Sequence, residues 1–193
     1  MHIDKQLNDY IANLLQTRIP ANYYYHNYGH TLYVLEKVRE IGKQENCTAR
    51  ELELLAVAAL WHDTGYINTY KGHEEESCVL ARKYLAGYGF SADDILTICG
   101  MIMATKIPQS PQNKLEEIIA DADLEYLSTS NAAVLAHNLF KELNALNPLL
   151  TEADWNKTEI DFLTAHTYFT GYCKANKELI KQSYLQSLVS NKA

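Results

Sequence analysis

The sequence predicts an all-α fold, a compact single-domain helical bundle, and three observations carry that expectation. Apolar residues recur at three- and four-residue spacing in nearly every segment of the 193-residue chain. No run alternates β-branched with polar residues, and no Asn-Gly hairpin signal or internal repeat occurs. Gly (8) and Pro (4) are scarce, so no linker divides the chain.

Over residues 4–18, Leu7, Tyr10, Ile11, Leu14 and Leu15 follow the spacing of a one-faced helix, with Pro20 just beyond its end. A second helix is expected over residues 29–43, burying Leu32, Leu35, Val38 and Ile41. Thr48-Ala-Arg-Glu51 has the form of a capping box. The helix it opens is apolar nearly all round from residue 54 to 61, the mark of a central, buried element. A further helix starts near Gly72, with Glu74, Glu75 and Glu76 in its first turn where carboxylates favour the positive end of the dipole, and ends near residues 87–89. Ser91-Ala-Asp-Asp94 caps the next, which leads into Ile95, Leu96, Ile98 and Ile102. Residues 106–113 hold two of the prolines and read as a loop. Helical period resumes over 114–127 and 132–146, and Thr151-Glu-Ala-Asp154 caps a long C-terminal helical region broken near Gly171.

A formal charge of −7 argues against a partner with a nucleic-acid backbone. It does not exclude a small phosphate ligand, because a metal can reverse the local field. The start, MHIDKQLNDY, lacks the basic and apolar regions of a secretory signal. The longest apolar run, residues 54–61, is far short of the roughly 20 residues of a membrane span. The four cysteines form no CxxC pair, which suits reduced thiols in a cytoplasmic protein, with Cys78 and Cys99 in or near the core.

The chemistry concentrates in four pieces: His26-Asn-Tyr-Gly-His30, His62-Asp63, His73-Glu74 and Asp121-Ala-Asp123. Each alone is a weak signal; a histidine ending an apolar helix is usually a hydrogen-bonded core residue. Their positions change the reading. His62-Asp63 directly follows the most buried helix, and Thr64-Gly65 frees the backbone to turn. An ionised carboxylate there is costly unless it meets a cation. Asp121 and Asp123 likewise interrupt a stretch between Ile118-Ile119 and Leu124. Two imidazoles with two carboxylates suit Mn²⁺, Fe²⁺ or Co²⁺ at least as well as Zn²⁺ and leave positions for water and substrate. A zinc-protease HExxH reading of His26 and His30, four apart on one helix face, fails because Asn27 cannot act as its general base.

In this order the pieces resemble the HD-domain metal-dependent phosphohydrolases. Tyr25-His-Asn-Tyr-Gly-His30-Thr-Leu is similar to the YHNxxH segment of the cyclic-nucleotide phosphodiesterase branch. Trp61-His-Asp-Thr-Gly, Gly72-His-Glu-Glu-Glu-Ser77, Ala104-Thr-Lys106 and Asp121-Ala-Asp-Leu124 follow in the order of small bacterial HD hydrolases. The resemblance spans about 23–127; the C-terminal helices, about 131–190, carry nothing specific. It implies one HD-type helical domain over 1–193.

It also implies that His30, His62 and Asp63 bind metal, with Asp63 a candidate bridge between two ions. The fourth ligand is Asp123, which Leu124 follows directly, or Asp121 as a near-equal alternative. Two residues apart on a helix, the two point about 200° from each other. The resemblance makes His26 a candidate proton donor to the leaving oxygen, against a structural role at the helix start. His73 and Glu74 are candidates to complete a second metal site, orient water or act as acid and base; Glu75 and Glu76 read as a solvated face. Lys106, and more weakly Lys71, could meet a substrate phosphate, and Asn27 is a further substrate-binding candidate. Tyr23, Tyr24, Tyr25, Tyr28, Tyr66 and Tyr70 crowd these motifs and read as packing rather than base-stacking groups. His137 and His166 read as structural, and His2 as part of a frayed terminus.

The expected activity is therefore metal-dependent hydrolysis of a phosphate ester or anhydride, with a nucleotide as substrate. One or two divalent ions among Mn, Fe, Co, Ni, Mg and Zn would serve. A cyclic-nucleotide phosphodiesterase is a close variant, and a non-catalytic HD module binding metal or nucleotide belongs to a different class. A purely structural adaptor would keep its metal content unchanged on His62→Ala or Asp63→Ala. No Walker loop or Gly-rich dinucleotide fingerprint is present, and neither nucleic-acid polymer nor membrane is an expected partner.

Overall fold

Most helices begin where a polar side chain satisfies the orphan backbone donors of the first turn. The computed structural model describes residues 5–190, so His2 lies outside the described residues. Ten helices follow: α1 (Lys5–Arg18), α2 (Tyr28–Gln44), α3 (Ala49–Trp61), α4 (His73–Tyr84), α5 (Ala92–Ala104), α6 (Lys114–Asp123), α7 (Ala132–Leu146), α8 (Glu152–Ala165), α9 (Gly171–Asn176) and α10 (Glu178–Ser190). Three 3-10 turns, Thr64–Ile67, Leu85–Tyr88 and Glu125–Ser128, join them, and no strand occurs among the described residues. The reciprocal capping boxes form at Thr48/Glu51, Ser91/Asp94 and Thr151/Asp154. Asn27, Asn113 and Thr170 cap α2, α6 and α9.

Every residue of α3 from Leu54 to Trp61 is buried, and the helix packs against α2 and α5 while α6 lies against α2 and α5 in turn. Fully burying side chains such as Leu55, Leu60 and Trp61 is worth roughly 1.5–3 kcal/mol each, which makes α3 the axis of the main core. A second, smaller core gathers Tyr25, Leu124, Tyr126, Leu127 and Leu163. There α10 packs on α8 and on the Glu125–Ser128 turn. The histidine and aspartate motifs lie where the two cores meet. Cys78, Cys99 and Cys173 are buried free thiols, and Cys47 is partly buried.

Three local expectations are corrected. Leu32 is 42% exposed; α2 instead buries Thr31, Val34, Leu35, Val38, Ile41 and Gly42, one residue round the helix from Leu32. The helix expected over 114–127 stops at Asp123 and continues as the 3-10 turn Glu125–Ser128. Tyr168 holds that break by donating its hydroxyl to the Leu124 carbonyl at 3.1 Å. Finally, His26 precedes the cap residue Asn27, so it shares no helix face with His30. The C-terminal break falls at 166–170, immediately before Gly171.

Candidate metal centre

The end of α3 is built to aim one imidazole nitrogen. His62 donates from Nδ1 to the Ala59 carbonyl at 2.8 Å, which leaves the Nε2 lone pair free to meet a cation. Thr64 donates to the Trp61 carbonyl at 2.8 Å. Ser77 of α4 donates to the His62 carbonyl at 2.6 Å and accepts from Gly65 N–H at 2.8 Å. Gly65 is required there: a Cβ would lie 2.0 Å from the His73 carbonyl oxygen. The His62-Asp63 turn is thus clamped against the start of α4. Gly72, at φ +73, makes the left-handed entry to that helix.

Four side chains from α2, the α3 end and α6 converge. His30 Nε2 is 2.9 Å from Asp123 Oδ1 and 3.6 Å from Asp63 Oδ2. His62 Nε2 is 3.2 Å from Asp63 Oδ2, 3.6 Å from Asp123 Oδ1 and 3.4 Å from His30 Nε2. Single ligand atoms of His30, His62 and Asp123 all lie within 4.8 Å of one another. Asp63 Oδ2 is buried and has no hydrogen-bond partner among the described residues, the condition a carboxylate avoids unless something binds it. Burial alone would raise the Asp63 and Asp123 carboxyls, but His62 and its neighbours hold both well below the usual range. Burial likewise would lower His62, and Asp63 with Asp123 outweigh it, so the imidazole sits well above its ordinary value. The cluster stabilises positive charge at its centre, and its mixed nitrogen and oxygen donors fit a divalent cation.

Around this group, His26 is held by a residue the sequence reading missed. Glu142 of α7, fully buried, accepts from His26 Nδ1 at 2.5 Å. Its other oxygen accepts from the backbone N–H groups of Tyr25 (2.9 Å) and His26 (3.0 Å). Burial opposes a charge on His26, but Glu142, Asp63 and Asp123 raise it above its ordinary value. The signal for Glu142 was present: it follows Leu135 and Leu139 at helical spacing, a carboxylate on an apolar stripe. Glu125 and Glu159 are also buried carboxylates that the sequence reading did not single out. Glu125 accepts from Tyr33 and Lys177.

His73 Nε2 is 3.6 Å from Asp63 Oδ1, and its Nδ1 is 3.5 Å from Glu74. Its ring stacks on Tyr66 at 3.8 Å, and burial lowers its pKa. The tyrosines pack as walls: Tyr66 lies 4.4 Å from the His26 ring, and Tyr23 meets Tyr66 and Tyr70 edge-on. Exposed Lys106 pairs with Glu75.

Two expectations do not match the geometry. Asn27 is committed to the backbone, its Oδ1 accepting from Gly29 and His30 N–H and its Nδ2 donating to the Tyr24 carbonyl at 3.1 Å. Asp121 does not join the cluster, which corrects its near-equal standing beside Asp123. It faces the 166–170 segment and accepts from Phe169 N–H (2.8 Å), Thr170 N–H (2.9 Å) and Thr170 Oγ1 (2.7 Å). A cavity of about 530 Å³ opens on His26, Asp63, His73 and Asp123, with Lys71, Glu74 and Lys106 also along its wall.

The fold and this cluster define an HD-type helical protein, and the comparisons agree. The HD-domain family profile matches residues 27–125, and the chain belongs to the HD-domain family. Its fold is similar to a predicted HD superfamily hydrolase from an uncultured Thermotogales bacterium (19% identity, TM-score 0.60, 96% of this chain and 92% of that one). It is also similar to Bacillus subtilis YpgQ, solved in complex with ADP (16% identity, TM-score 0.66, 96% and 93%). A Lactobacillus plantarum protein matches with 17% identity and TM-score 0.67 over 99% and 98%. No curated protein sequence matches the chain. No helix among the described residues is long and apolar enough to cross a membrane.

Proposed function

We propose that the chain is a metal-dependent phosphohydrolase cleaving a phosphate ester or anhydride of a nucleotide. The observation that carries this reading is the convergence on Asp63 Oδ2, buried with no hydrogen-bond partner among the described residues, of His62 Nε2 at 3.2 Å and His30 Nε2 at 3.6 Å. His30, His62, Asp63 and Asp123 would hold the ion, with Asp123 rather than Asp121 as the fourth ligand. When bound, a divalent cation there supplies charge neutralisation for phosphoryl oxygens and acidifies water.

The chain's own residues account for the rest. Glu142 fixes His26 through Nδ1, which leaves Nε2 to deliver a proton to the leaving oxygen. Glu142 also favours the protonated ring that this step uses. His73 and Glu74, beside Asp63, orient the attacking water or complete a second ion site. Lys106 reaches a substrate phosphate by exchanging it for Glu75. The ADP held by the Bacillus subtilis neighbour supports a nucleotide as substrate, as does the aromatic lining of the cavity.

The test is metal analysis and phosphate release across nucleoside mono-, di-, tri- and cyclic phosphates with Mn²⁺, Mg²⁺, Co²⁺ and Ni²⁺. Asp63→Ala is expected to lose bound metal and at least about 10²-fold in turnover. Turnover unchanged in that variant sinks the mechanism. Metal binding without turnover on any member identifies a non-catalytic module instead.

A further inference from the structure

The cavity does not end at the metal cluster. It runs on between the Glu125–Ser128 turn, α7 and α8, where Leu127, Leu139, Leu143, Trp155 and Phe162 line it. Trp155, Glu159 and Phe162 form one stripe of α8 at i, i+4, i+7 spacing. A single carboxylate stands in this apolar arm. Glu159 is only 7% exposed. Its Oε1 accepts from the Tyr184 hydroxyl of α10 at 2.5 Å, whereas Oε2 has no hydrogen-bond partner and no paired cation among the described residues.

A ligand that fills this arm takes solvent away from Oε2, and an acceptor so covered is costly to leave unpaired, so that ligand must bring a donor to it. The same carboxylate repels a second phosphate or a carbonyl oxygen placed against it. Trp155 and Phe162 supply apolar aromatic surface for a flat ring, while the phosphate belongs at the Asp63 end.

We propose that this arm takes the base of the nucleotide and that Glu159 is its specificity-determining residue, accepting a hydrogen bond from an exocyclic amino group. Adenine and cytosine present that donor; hypoxanthine and uracil place a carbonyl oxygen at the same position. This inference rests on the nucleotide reading above, but base preference is measured separately from turnover. Calorimetry with non-hydrolysable methylene-phosphonate analogues of adenosine against inosine and cytidine against uridine 5′-mono- and triphosphates, in the presence of Mn²⁺, gives the affinities. Quenching of tryptophan emission, absent in Trp155→Phe, places the base in the arm.

The amino member of each pair is expected to bind about 10- to 100-fold tighter. In Glu159→Gln, Tyr184 continues to donate to the amide oxygen and the amide NH₂ faces the cavity. That variant is expected to move the ratio toward inosine and uridine by at least about tenfold. Equal affinities in the wild-type chain, a ratio unchanged in a folded Glu159→Gln, or no nucleotide-dependent quench each overturn the proposal. The wild-type ratios test it even where the variant fails to fold. Turnover of p-nitrophenyl phosphate with Mn²⁺, which involves no base, reports on the hydrolase reading alone.

Discussion

Glu142 organises the approach to α2 by accepting from His26 Nδ1 and from two backbone N–H groups. Its role is positioning, and its removal should not empty the metal site. Glu142→Gln is expected to lower kcat about 10- to 10²-fold with bound metal unchanged, as read by steady-state kinetics beside metal analysis. Because Glu142 raises the His26 pKa, the variant should also move the alkaline limb of the rate profile to lower pH. A purely structural role would leave that limb in place. Asp121 and Asp123 separate in the same way. Asp121→Asn weakens three hydrogen bonds to Phe169 and Thr170, so it is expected to cost about 1–3 kcal/mol in urea denaturation while metal content holds. Asp123→Asn should do the reverse.

At the scale of elements, the joints decide more than the helices. In the first capping box, Thr48 is solvent-exposed and its hydroxyl contact to Glu51 N–H is local, so Thr48→Ala is expected to cost about 1 kcal/mol with kcat unchanged. Gly65 is different, because its missing side chain lets the His62-Asp63 turn press on α4. Gly65→Ala places a methyl 2.0 Å from a backbone oxygen and must part the turn from α4. Thermal denaturation should show a loss of about 3 kcal/mol or more, accompanied by weaker Mn²⁺ binding. Both box and turn are readable in sequence. The end of α6 at Asp123 is not, since Leu115, Ile118, Ile119, Ala122 and Tyr126 keep helical spacing straight through it; Tyr168, 44 residues from Leu124, holds the break.

Across the whole molecule, the second core is locked to the first by α10 and the 166–170 segment. Lys181, fully buried, donates to the His166 carbonyl, pairs with Glu178 at 2.9 Å and lies 3.1 Å from His166 Nδ1. Burial and then the Lys181 charge push the His166 pKa down to about 4. The unfolded chain therefore binds a proton at His166 that the folded chain refuses. The stabilisation is complete above about pH 6.5 and is lost as pH falls from there to about 4, up to roughly 3 kcal/mol. His166→Asn, which keeps an acceptor near Lys181, should flatten that part of the stability profile, measured by urea midpoints at pH 7.5 and 4.5. The comparison is made against the wild-type chain because groups at the metal cluster titrate in both.

The all-α class, the three capping boxes, the buried character of α3 and the His62-Asp63 turn followed by Gly65 are legible in sequence alone. Each depends on residues within one or two turns of each other, where spacing and cap chemistry act directly. The resemblance carried by His30, His62, Asp63 and the late aspartates is legible on the same terms, because those residues fall in short ordered motifs. Tertiary structure alone decided what depends on distant partners. It put Asp123 in the cluster and Asp121 on the 166–170 segment, turned Leu32 outward and Thr31 inward, and brought Glu142 to His26 across 116 residues. It also set Glu159 in the wall of a cavity whose other end is Asp63. A buried carboxylate on an apolar stripe announces that it has a partner, but the identity of that partner is fixed only when two cores pack.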